Sequence, residues 1–365
     1  MDVGRRRLRC IGHIINLVVR AVIFGSNKGA IGRLHNLATY IRRTDQRRQA
    51  LRRLQTELAG DDAIFTLEIV VDGKTRWNSI YMMINRALEL RSAIELYQSR
   101  WQKPKNDPAH RDLTKDFLGA ADWAELERFH NFLKPFYVLT KTMEGNANNA
   151  GAEGGHGAVW ETLKTMDYLF VKFKQAAEET RFEEPSHFKS GIDCGWRKLE
   201  DYYVKTDRTP VYRAALALHP SYGYDYFERH WKGAMNRPQW YSDMQSAVGS
   251  LFDEYARQAE VGTQAQAGLL EGDVEIEAEV NDYPLIEHTT KEGQDPLEWW
   301  NRHQLEYPVL YRMALDLFSI PGMSAECERV FSQAKKMITD ERNRLAPEAV
   351  EADQLQKQWL LRGLV

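Results

Sequence analysis

Cys10 and His13 stand three residues apart in a run with helical spacing, so their side chains would share one helix face. Two such residues make half a zinc site, but a zinc ion wants four ligands and no second Cys/His pair has suitable spacing. Near the other end, Pro321 and Gly322 stop a helix, Ser324 can cap the next, and Glu326 and Glu328 fall in its first turn. A helix dipole favours negative charge there, so on these residues alone the segment is a capped helix with a surface ion pair. Arg42, Arg43, Arg47, Arg48, Arg52 and Arg53 recur at near-helical spacing. That cluster is either a solvated helix surface or a phosphate-binding stripe, which a steep salt dependence would reveal. Trp77 beside Arg76 reads as an aromatic at a helix start, packed on the core.

These residues need helices to position them. Ile14, Leu17, Val18 and Val22 form one apolar stripe, Leu34, Leu37, Ala38 and Ile41 a second, and Leu51, Leu54 and Leu58 a third behind a Thr44–Asp45 cap. Ile64 to Val71 is rich in β-branched residues, closes on Asp72–Gly73 and predicts a strand. Helical patterns follow over 78–101, 123–143, 159–177, 188–205, 210–218 and 238–257. Gly145 to Gly157 has almost nothing to bury and predicts a flexible loop. The stretch from about Ala259 to Asp295, acidic and poor in aromatics, predicts a loosely held linker. After it, Trp299, Trp300, Leu305, Tyr307, Leu310, Tyr311, Met313, Leu315 and Phe318 crowd into a core-forming module.

With 365 residues, the chain is long enough for two or three domains. Its 49 Lys/Arg against 52 Asp/Glu give a net charge of −3, which excludes a uniformly basic nucleic-acid binder. The average hides an asymmetry. Residues 1–60 hold thirteen basic side chains against three acidic, and 251–300 hold thirteen acidic against two basic. Cys10, Cys194 and Cys327 are too few and scattered for a disulfide framework and point to a reducing, intracellular compartment. The apolar run Ile11 to Phe24 behind Arg5 to Arg9 mimics a signal peptide, but His13, Asn16 and Arg20 interrupt it and no membrane anchor is expected. An Arg-rich mitochondrial leader is a further reading of that end.

Three separated stretches, in order, resemble the hAT (hobo/Activator) transposase superfamily. Arg9–Cys10–Ile11–Gly12–His13–Ile14–Ile15–Asn16–Leu17 is similar to its Cys-x-x-His segment, and Thr75–Arg76–Trp77–Asn78–Ser79 to its Thr-Arg-Trp motif. Asp295 to Leu361 resembles its C-terminal dimerisation region, through Ser324 to Ser332, Arg342–Asn343–Arg344–Leu345 and Trp359. The resemblance implies an RNase H-like core interrupted by a helical insertion, with an acidic triad that holds Mg²⁺ for phosphoryl transfer on transposon DNA. Glu328 matches the family's glutamate by position. Both aspartates lie upstream of the Cys-x-x-His segment in the family, and neither they nor an Asp-Asn-Ala-Ser-Asn-like segment occur in these residues. Two metal ions need several converging carboxylates, so Glu328 alone predicts no catalysis.

The expected fold is mainly α: a partial RNase H-like α/β domain with a helical insertion and a C-terminal helical dimerisation module. Its divisions are 1–77, 78–258, an acidic linker at 259–294, and 295–365. The expected function is that of a truncated transposase-like protein that dimerises and binds DNA weakly without cutting it. The alternatives are a fragment of an active transposase, or a domesticated dimerising regulator. By resemblance His13, Arg76 and Trp77 face DNA, Trp77 stacking on a flipped base and Arg76 holding a phosphate. Trp299, Trp300, Tyr307, Leu310 and Phe331 serve dimerisation. No cofactor is expected for this chain, Mg²⁺ only in a complete enzyme. The expected partners are a second copy, related transposases and DNA, in the nucleus, with cytoplasm or mitochondrion as alternatives.

Overall fold

Amphipathic spacing is realised almost throughout as helix. The computed structural model describes residues 8–24, 29–60, 65–73, 76–103, 112–144, 157–183, 186–235, 237–266 and 295–323, with single positions at 352 and 356. The helices are α1 (Ile11–Phe24), α2 (Gly29–Arg42), α3 (Asp45–Ala59), α4 (Asn78–Glu89), α5 (Arg91–Arg100) and α6 (Ala120–Met143). Beyond them come α7 (Glu161–Glu179), α8 (His187–Thr206), α9 (Val211–Ala217), α10 (Gly223–Phe227), a π-helix at Glu228–Ala234, α11 (Pro238–Gln266), α12 (Pro296–Arg302) and α13 (Pro308–Phe318). Two compact units result, each from separated stretches. Unit one comprises 1–13, 141–167 and 202–365; unit two comprises 14–140 and 168–201.

The expected strand is the clearest difference. Residues 65–73 form neither helix nor strand, and no β-strand occurs among the described residues. Side chains take the place of a partner strand. Gln55 of α3 donates to the Leu67 carbonyl at 2.9 Å and accepts from the Leu67 N–H at 2.7 Å, closing both backbone bonds of that residue. Arg42 donates to the Ile69 carbonyl at 3.2 Å and Arg86 to the Glu68 carbonyl at 2.7 Å. Backbone outside helix and sheet needs partners for its polar groups, and side chains of three helices supply them at Leu67, Glu68 and Ile69. The helix expected over 78–101 breaks at Leu90 (φ −96°, ψ 9°) into α4 and α5. At the far end, α11 continues to Gln266, past the start expected for the acidic linker. The rest of that linker and the loop expected at 145–157, save Gly157, lie outside the described residues.

Unit two has an aromatic centre. Phe132 packs on Phe136, Phe173 and Phe188 with ring centres 5.0, 5.2 and 5.9 Å away, and Phe129 meets Phe188 at 5.1 Å. Gly191 and Gly195, one turn apart on α8, let that helix touch α1: side chains there would run into the Val22 carbonyl and the Val22 and Phe173 side chains. Among the described residues no single helix is long and apolar enough to cross a membrane; α1 and α2 pass that test only as a pair bent by 97°, and their apolar faces are buried.

Candidate nucleic-acid interface and self-association region

In unit two, Trp77 occupies the N-cap position of α4. Its backbone N–H donates to Asn16 Oδ1 of α1 at 3.3 Å, so the Thr-Arg-Trp motif is tied to α1 within unit two. The indole is 2% exposed and points its edge at Tyr137, 6.4 Å away. Tyr137 stacks on Tyr81 at 4.6 Å, and Tyr81 on His130 at 5.1 Å. The column ends at Asn85, whose Oδ1 lies 2.9 Å from His130 Nε2. Burial, then the neighbouring Tyr137, raises the Tyr81 pKa above 10.0. Trp77 is thus a core residue in this arrangement, while Arg76 beside it is exposed.

His13 is exposed in the first turn of α1 and belongs to unit one, so no single unit holds His13, Arg76 and Trp77 together. Around His13 the backbone is clasped. The Ile11 N–H donates to the Gly322 carbonyl at 2.9 Å, the Gly322 N–H to the Gly157 carbonyl at 2.7 Å, and the Val159 N–H to the Ile320 carbonyl at 3.0 Å. Ala158 and Pro321 form an antiparallel bridge between them. A Cβ on Gly322 would fall 2.5 Å from the Ala158 carbonyl oxygen, and one on Gly12 would strike the Met323 side chain. Only glycine fits at 322, because the atom in the way is backbone. The clasp holds Met323, the residue before the Ser324–Glu328 motif, against the Cys10–His13 segment. Glu328 and Phe331 lie outside the described residues. Arg9 is used internally: its N–H donates to Tyr212 Oη at 2.5 Å and Nη1 to the Lys205 carbonyl at 3.3 Å.

The aromatic residues expected at a subunit interface are interior to unit one. Trp299 is 7% exposed, Trp300 0%, Tyr307 7% and Leu310 1%. Trp300 Nε1 donates to the Leu218 carbonyl at 2.9 Å, and Trp299 carries the stacked His303 ring at 3.9 Å. These four side chains therefore lie in the chain's own core, whereas Leu305 of the same stretch is 92% exposed. Of the Arg cluster in unit two, Arg42 binds the Ile69 carbonyl, Arg47 the Tyr40 carbonyl, Arg48 pairs with Asp45 and Arg52 with Glu68. Arg42, Arg43, Arg52 and Arg53 are all exposed. Four guanidinium groups in six have partners within the chain.

One buried acid gave no motif signal. Asp167 of α7 lies fully inside unit one and accepts from Tyr203 Oη, from Tyr226 Oη at 2.7 Å and from Trp231 Nε1 of the π-helix at 3.1 Å. Burial pushes its carboxyl up to about 6, against the three hydrogen bonds that pull it down. Its only visible signal was an acid between Met166 and Leu169 in an otherwise apolar stripe. Among the described residues no three His, Cys, Asp or Glu side chains converge on a point that could hold a metal ion.

Two family descriptions match the chain in order. Residues 8–132 match the ZBED1 RNase-like helical domain, and residues 278–360 match the hAT family C-terminal dimerisation region. Among relatives, the zinc finger BED domain-containing protein DAYSLEEPER of Arabidopsis thaliana is 25% identical over 80% of this chain and 41% of its own length. Zinc finger BED domain-containing protein RICESLEEPER 2 of Oryza sativa is 26% identical over 97% of this chain and 50% of its own. The protein named "Putative AC transposase" in Zea mays is 25% identical over 97% of this chain and 44% of its own. The chain thus spans half or less of the length of these relatives. With a helical domain at one end and the dimerisation region at the other, both in family order, it belongs to the hAT family of transposase-like proteins.

Proposed function

We propose that this chain is a self-associating hAT-family protein that binds DNA weakly and does not cut it. The observation that carries the reading is the dimerisation region at residues 278–360. Within it, Trp299, Trp300, Tyr307 and Leu310 hold the scaffold from inside, and the contact surface is formed by other residues of the region, Phe331 among them. The partner is a second copy or a related transposase. DNA contact falls to exposed groups, Arg76 and His13, with Trp77 able to meet a base only after leaving Tyr137.

The clasp between Ile11 and Gly322 supports an RNase H-like domain assembled from the two ends of the chain, because it sets the Cys10–His13 segment beside the approach to Glu328. Glu328 is the one position in the 365 residues that matches the family's triad, and a single carboxylate neither neutralises nor orients two divalent ions. A nuclear location suits a protein with transposase-like relatives. A second reading has a specific support: spanning 44% of a transposase-named relative is what a segment of an active enzyme would do.

Sedimentation of the full chain over a concentration series, with Mg²⁺ and transposon-end DNA tested alongside, separates these readings. The expected result is a concentration-dependent dimer, weak salt-sensitive DNA binding and no nicks. A monomer at every concentration refutes the self-association. Nicking that Glu328→Gln abolishes refutes the loss of catalysis and establishes the second reading.

A further inference from the structure

At the corner between α1 and α2, a histidine is gripped by acceptors on both sides. His187, the first residue of α8, places Nδ1 2.6 Å from Glu125 Oε1 of α6 and Nε2 3.0 Å from the Ile23 carbonyl oxygen near the end of α1. The side chain is 7% exposed. Glu125 Oε1 also accepts from the Ala30 N–H in the first turn of α2, at 3.4 Å. Gly29 (φ +43°) sits so close that a Cβ there would lie 2.5 Å from both Glu125 Oε1 and His187 Nδ1. Four helices meet at one imidazole.

A neutral imidazole has one N–H and one lone pair. Here one nitrogen faces a carbonyl oxygen, which only accepts, and the other faces a carboxylate. With a single hydrogen on the pair, one of the two contacts sets lone pair against lone pair. Both are satisfied only when the His187–Glu125 pair holds two hydrogens, as imidazolium with carboxylate. Several other charged groups on the helices packed here are paired elsewhere. Arg33 of α2 pairs with Asp122, one turn before Glu125 on α6. Arg20 of α1 lies over the Phe24 ring at 5.4 Å, and Lys189 of α8 donates to the carbonyls of Arg181 and Glu183. The Phe129 ring covers the imidazole at 5.0 Å.

We propose that His187 and Glu125 form a proton-operated clamp that fastens the α1–α2 corner to α6 and α8 while both imidazole nitrogens carry hydrogen, and releases the Ile23 carbonyl when one proton leaves to solvent. Burial works against the charged imidazole, but the Glu125 and Ile23 hydrogen bonds outweigh it and lift His187 above 6.5. A raised histidine stabilises the fold most when protonated, so the clamp's contribution is whole below 6.5 and fades as pH rises through the higher value of the folded chain.

Amide hydrogen exchange on the full chain at about pH 6 and about pH 8.5, corrected for the intrinsic base-catalysed rate, reads the clamp directly. The Ala30 amide and the last-turn amides of α1 are expected to lose protection at the higher pH, while those of the Phe129–Leu133 stretch keep theirs. Glu125→Gln is expected to abolish that pH dependence. Equal protection at both pH values, or an unchanged pH dependence in Glu125→Gln, overturns the clamp. Should that variant fail to fold, the NMR titration of His187 in the unaltered chain decides, since a midpoint below 6.5 overturns it equally.

Discussion

Replacing Asp167 by Asn tests how unit one tolerates a carboxylate in its core. In the folded chain this group titrates near 6 against an ordinary 3.8, because its burial outweighs three hydrogen bonds. An acid with a raised folded value gives its full contribution below the unfolded value and loses it as pH rises through the folded one. Two units at about 1.4 kcal/mol each put the loss between pH 3.8 and 6 at about 3 kcal/mol. Asn keeps the geometry. Its oxygen can occupy the Oδ2 place and accept from Tyr226 and Trp231, while the Tyr203 hydroxyl turns to accept from the new amide. Denaturant unfolding of both proteins at about pH 4 and about pH 7 gives the difference free of other carboxylates, which cancel between them. The expected outcome is that Asn gains about 2.5 kcal/mol relative to Asp on going from the lower to the higher pH. Asp167→Ala should instead lose several kcal/mol at both, since three buried donors are left unpaired at roughly 1–3 kcal/mol each. A constant Asp–Asn difference across the two pH values would refute the reasoning.

Other changes act through packing. Gly191→Ala places a methyl group on the Val22 carbonyl and is expected to cost about 2 kcal/mol or more, whereas Gly249→Ala in α11, with open space around it, should gain about 0.5–1 kcal/mol from helix propensity; thermal unfolding ranks the pair. Gln55→Leu removes both side-chain bonds to Leu67, so the Leu67 amide should lose its exchange protection while the core of unit two keeps its own. Trp300→Ala should cost about 3–5 kcal/mol through the emptied core and the lost bond to Leu218, with any fall in self-association following from unfolding; a stable monomer would place Trp300 at the interface after all. Deleting residues 295–323 is for the same reason expected to unfold unit one, which limits deletion as a test of dimerisation.

Much of the helical pattern was legible because it is local. The Ile14, Val18 and Val22 stripe is buried as its spacing requires, and Thr44 caps α3 by accepting from the Arg47 N–H. The misread strand shows the limit. Val70 and Val71 favour a strand, but no partner strand pairs with the segment, and Gln55, Arg42 and Arg86 bind its backbone from helices that no local rule connects to it. Trp299 and Trp300 were legible as apolar mass, yet composition cannot say whether such mass closes its own core or a neighbour's. Asp167 and Glu125 were visible only as acids inside amphipathic helices, and their roles depend on partners more than thirty residues away.

The clasp of Ile11, Gly157 and Gly322 also sets an order of events during synthesis. One of its three backbone bonds joins the first helix to Gly322, so that contact cannot form until the chain through position 322 has left the ribosome. At roughly 5–20 residues per second, the start of α1 waits on the order of 15–60 s for its partner. During that interval Ile11 and the residues around it have no native contact from Gly322, and holding them in solution falls to the rest of the nascent chain or to a chaperone. Growth that slows between positions 12 and 322 lengthens the wait; a chain stopped before 322 never ends it.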